Sequence, residues 1–176
     1  MKKVVFTLVA IGMLASFGYS QKKPVRKTAA AKPPVTVIPP LDVRAAREKT
    51  DNQLANVNTF VDKLGNVAPA LETAIADEAA GKLKPETAQK VDAARANLVA
   101  SIRNLKVGLS LLEADYKTKT ALAKYLPAIQ GITDLTTQSE DSALAGKFVA
   151  AKDPLRAVAQ KLTDTLALLP KSPVTP

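Results

Sequence analysis

Carboxylates close together in sequence are the first places to look for chemistry, because a pair can supply an acid and a base to one bond. Three such pairs occur: Asp77 with Glu78, Glu113 with Asp115, and Glu140 with Asp141. Asp77 and Glu78 fall at a helix end, and Glu113 and Asp115, two residues apart, face different ways on a helix. Glu140 and Asp141 belong to a first helical turn, where negative charge suits the dipole. Each acid has a structural use at hand, so no pair is assigned to catalysis.

Other chemistries are excluded by composition. The chain contains no Cys and no His. Ser-His and Cys-His nucleophiles therefore cannot exist, nor can zinc, haem or iron-sulfur sites built on those ligands. A di-iron helical bundle is excluded on the same ground, since it needs Glu-x-x-His. Calcium loops and Gly-rich phosphate loops are also missing. The chain reads as a non-enzyme with no cofactor, metal or catalytic residues.

Cations offer a different possibility. The net charge is +9, but residues 21–40 carry Lys22, Lys23, Arg26, Lys27 and Lys32 with no acid, while residues 41–176 are close to balanced. Between Asp92 and Glu113 no acid occurs, and Arg95, Arg103 and Lys106 make a weakly basic helix face. These eight residues are the candidate contacts for an anionic surface, such as phospholipid headgroups or an envelope polymer. No aromatic residue interleaves the cations of the tail, which argues against base stacking, and sequence-specific nucleic-acid binding is not expected.

The elements that would position these groups are helical. Aromatic residues make up 4% of the chain, there is no Trp, and the apolar content is mainly Ala, Leu and Val. Such side chains suit close helix packing rather than a sheet. Val91, Ala94, Leu98, Ile102, Leu105, Leu109, Leu112 and Tyr116 form an unbroken stripe at three- and four-residue spacing. A second stripe runs from Val43 through Leu54, Val61 and Leu64 to Leu71 and Ile75, keeping its phase across Pro69. That constancy favours one long helix kinked at Pro69 over two helices.

In chain order, Met1–Ser20 has the charged start, the apolar run and the small residues of a bacterial secretory signal, with cleavage after Ser20. Residues 21–41 form a disordered, basic, Pro-rich linker. A helical domain at 42–170 follows, with Asp42 as N-cap, Gly81 as the stop and Pro85 opening the central helix. The pairs Glu113–Lys117 and Asp115–Lys119 extend that helix to Leu126, where Pro127 ends it. Thr137–Glu140 reads as a capping box, and Asp153–Pro154 as a further helix start. Residues 171–176 form a disordered tail.

Three arms of similar length predict an all-α, elongated antiparallel three-helix bundle of coiled-coil character with Pro-broken arms. The alternative is a compact set of five shorter helices, broken at Pro69 and Pro127. Function is expected to be that of an exported scaffold or binding protein of the bacterial envelope, periplasmic or extracellular, with no transmembrane segment once processed. Its partner would be an anionic envelope surface or another envelope protein, and self-association stays open. The competing expectation is a holdase or carrier for apolar ligands or unfolded chains.

Overall fold

A computed structural model of the protein describes residues 38–171, and every regular element among them is helical. The expected signal, most of the linker and residues 172–176 lie outside the described residues, as do Lys22, Lys23, Arg26, Lys27 and Lys32. Two long helices come first, α1 (Leu41–Ala79) and α2 (Pro85–Thr118). A 3-10 segment, Thr120–Tyr125, leads into the single turn of α3 (Leu126–Ile129). Two further helices follow, α4 (Ile132–Leu144) and α5 (Phe148–Leu168).

The long stripes account for α1 and α2. Val57, Leu64, Ile102, Leu109 and Tyr116 are fully buried, and Leu54, Leu98 and Leu105 pack against them partly covered. Pro69 lies inside α1, which stays helical on both sides of it. The proline is exposed, so the carbonyl its missing N–H leaves unserved sits on the side of the helix that water reaches. Asp42 is not the N-cap: Pro40 holds that position, its carbonyl accepting from the Val43 and Arg44 amides, and Asp42 occupies the first turn. Gly81 does end α1, at φ +69, with Gly81 N–H donating to the Glu78 carbonyl and Lys82 N–H to that of Asp77.

The third arm departs from expectation, because it is not one arm. α1 packs along α5, α5 along α4, α4 along α2 and α2 along α1, so four helices close a ring where three were expected. The chain reverses at Gly146, φ +77, where Gly146 N–H donates to the Ala143 carbonyl and Lys147 N–H to that of Ser142. This left-handed glycine cap halves the arm into two antiparallel pieces of 13 and 21 residues, against 39 and 34 for α1 and α2. Arg95 meets the end of α4 and Glu72 the start of α5, so the α1–α2 hairpin continues beyond both by roughly 10–15 Å.

Four helix limits also differ from expectation. α2 stops at Thr118 rather than Leu126, because Lys119 is extended and the chain bends to bury Leu122 and Tyr125 at the bundle end. Pro127 then opens α3 instead of ending a helix. α4 begins five residues before the expected Thr137 box, and the Thr137 hydroxyl bonds back to the Thr133 carbonyl. α5 begins at Phe148, leaving Pro154 inside it.

Candidate functional site

The N-caps of α4 and α5 are Gly131 and Lys147, and neither supplies a side-chain cap of its own. A helix start leaves amide groups without partners, and burial makes that costly. Both helices take their caps from the long hairpin. Glu113 of α2 accepts from Gly131 N–H at 3.1 Å with Oε1, and from Thr133 N–H at 3.1 Å and Thr133 Oγ1 at 2.7 Å with Oε2. Glu72 of α1 accepts from Val149 N–H at 2.7 Å, in the first turn of α5.

The opposite ends are held by arginines. Arg95 Nη2 donates to the Leu144 carbonyl at 2.9 Å, closing α4, and Arg47 Nη1 donates to the Leu166 and Leu169 carbonyls at 2.9 and 2.8 Å, closing α5. Each short helix thus has an acid at its N-terminus and an arginine at its C-terminus, both from the long helix beside it. That placement complements the helix dipole at both ends. The clamps connect sequence to packing: charges spaced along α1 and α2 fix where α4 and α5 lie.

Glu113 is the most strongly perturbed group. Its side chain is 4% exposed, and Lys117 Nζ lies 2.8 Å from Oε1. Burial alone would raise its pKa, but the Lys117 ion pair and the hydrogen bonds from Thr133 and Gly131 outweigh it and hold the carboxyl at about 2. Asp115, drawn mainly by the hydrogen bond from Lys49 at 2.6 Å, is also held below the usual carboxylate range. Neither member of this carboxylate pair is poised to exchange a proton near neutrality. Beside them, burial raises the Tyr116 phenol, whose oxygen lies 2.9 Å from Thr50 Oγ1 in a fully buried hydrogen bond.

The candidate basic face lies on the α2–α4 seam. Arg103 Nε reaches Glu140 Oε1 at 2.6 Å and Lys106 Nζ reaches Glu140 Oε2 at 3.0 Å, while Arg95 serves α4 as described. Arg103 remains 57% exposed and Lys106 is half-buried. Glu140, held below its ordinary value chiefly by the Arg103 hydrogen bond, is thereby fixed in its charged form. Asp77 pairs with Lys82 at 3.1 Å. Among the described residues no group of three or more acids could hold a metal ion.

Sequence reading missed the trans caps. The signal available was negative: Gly131 and Lys147 are helix starts lacking Ser, Thr, Asp or Asn, so their partners had to come from elsewhere in the chain. Linear spacing instead paired Glu113 with Lys117, which is correct but is only one of its bonds.

The outer face of the hairpin carries a different surface. A groove of about 420 Å³ between α1 and α2 is lined by Gln53, Asn56, Thr59, Ser101 and Asn104, over Phe60 and Leu105. It runs into a second of about 280 Å³ through the shared residues Gln53 and Gly108. Gln53 lies across Gly108, where a Cβ would come within 2.9 Å of its amide nitrogen. Only Lys63 brings a charge to the first groove; the Lys49–Asp115 pair borders the second. No family model, no curated protein and no solved structure matches this chain.

Proposed function

We propose that the protein is an exported, non-enzymatic scaffold or binding protein of the bacterial envelope, whose basic residues 21–40 act as a tether or an anionic-surface contact. The observation that carries this reading is the use made of its ionisable groups. The three carboxylates with depressed pKa values, Glu113, Asp115 and Glu140, all bridge helices, and so does Arg95. These charges join helices to one another, and the positive excess of the sequence is concentrated in residues 21–40. Among the described residues no helix is long and apolar enough to cross a membrane, and a basic stretch such as residues 21–40 is attracted to an anionic surface.

Cosedimentation with vesicles rich in phosphatidylglycerol tests the reading. The chain pellets with them at low ionic strength and is released by about 0.5 M salt or by deletion of residues 21–40, because exposed charge attraction is screened. If it stays in the supernatant at low salt, the anionic contact is rejected. Suppression of aggregation of an unfolded client by the chain lacking residues 21–40 would point instead to a holdase.

A further inference from the structure

The exposed face of α2 lacks the charges that such a face normally carries. Asn97, Ala100, Asn104, Val107, Leu111 and Ala114 follow one another in alternating steps of three and four, the 3.5-residue repeat of a coiled-coil seam. All six are exposed, on the side of the helix away from Ile102 and Leu109. Val107 is 59% and Leu111 66% exposed. In a chain with 23% charged residues, the outermost stripe of its central helix holds none over this span.

We propose that this stripe is the interface between two copies of the chain, packed α2 against α2 in antiparallel register. Two features select a second copy over another occupant. First, a two-fold axis between Asn104 and Val107 sets Ala100 against Leu111 of the second copy, Asn97 against its Ala114 and Asn104 against its Val107. Small meets large at the two outer levels, and two side chains of similar, intermediate size meet at the centre, so no level pairs large with large. Second, a symmetric interface brings a surface against itself, so a central charge would meet its own sign. Here the neighbouring cations are drawn aside: Arg103 and Lys106 are turned onto Glu140 of α4. On the other flank Asn56 and Thr59 of α1 border the stripe across the groove, where Lys63 is the one charge of its lining and Lys49 is paired with Asp115.

The inference concerns assembly and stands independently of the proposed anionic contact. Sedimentation of the full chain tests it, with the dimer expected at micromolar concentration. The double variant Val107→Glu, Leu111→Glu places four charges in the interface and weakens association by about 100-fold or more. Its helix content stays unchanged, because both positions are on the surface of the monomer, and its melting temperature falls to that of the native chain diluted to the monomer and loses its dependence on concentration. The register is read with cysteines, which the native chain lacks. Mixing the Ala100→Cys and Leu111→Cys chains gives a disulfide-linked dimer, whereas neither variant alone does. A monomeric native chain, an oligomer indifferent to the double variant, or ready cross-linking of the Ala100→Cys chain with itself each overturns the proposal.

Discussion

The two ends of the helical ring are held by the same kinds of contact but to different depths. At one end lie Glu113 with Gly131 and Thr133, Arg47 on the last carbonyls of α5, and the buried Thr50–Tyr116 hydrogen bond. At the other, where the chain reverses at Gly146, Glu72 and Arg95 make single exposed bonds to Val149 and Leu144. A hydrogen bond sheltered from water is expensive to lose, because removing one partner strands the other. A solvated one is replaced by water. The clamps from the long hairpin are therefore sheltered at the Tyr116 end and solvated at the Gly146 end, where buried Ala143 and Phe148 and the buried hydrogen bond from Ser139 Oγ to the Ala151 carbonyl hold α4 to α5 instead.

Substitutions sharpen this difference. Glu113→Ala leaves the Gly131 amide, the Thr133 groups and Lys117 without their shared acceptor, and should cost on the order of 3 kcal/mol in urea unfolding. Glu113→Gln keeps the shape but loses the charge and turns one of the two accepting oxygens into a donor, so it should cost nearly as much.

Acid probes the same residue without mutation. Its carboxyl stands near 2 in the folded chain against an ordinary 4.5. Its contribution is thus fully present above about pH 5 and is lost as the pH falls towards 2, a difference of roughly 3 kcal/mol. Asp115 and Glu140 shift in the same direction and add to the loss. The Glu113→Gln protein should show a flatter stability profile across that window. A profile as steep as the native one would place the acid sensitivity elsewhere.

Arg47→Ala, half-buried and serving two carbonyls, should destabilise by about 1–2 kcal/mol. Glu72→Ala and Arg95→Ala, at the exposed end, should each cost under about 1 kcal/mol. Equal effects of Arg47→Ala and Arg95→Ala in thermal melts would erase the contrast between the ends.

The long hairpin was legible in the sequence, and so was the presence of two further helices, but not where those two begin. α1 and α2 announce themselves by stripes from Val43 to Ile75 and from Val91 to Tyr116, by Gly81 and by Pro85, all local signals. α4 and α5 start at Gly131 and Lys147, where no local cap exists, and their limits are set by Glu113 and Glu72, 18 and 77 residues away from the amides they meet. Motif reading favoured Thr137–Glu140 and Asp153–Pro154 because these resemble caps, yet tertiary contacts drew those residues into helix interiors. The Arg95, Arg103, Lys106 grouping was visible as charge, but its engagement with α4 was not, since α4 itself was misplaced.

Glu113 is the buried pin of α4, and native-state amide hydrogen exchange tests this role most directly. In the Glu113→Gln protein, the amides of residues 131–144 should exchange about 10-fold faster or more, while the core amides of α1 and α2 around Val57 and Ile102 keep their protection. Unchanged exchange in α4, or an equal loss of protection in all helices, would contradict it.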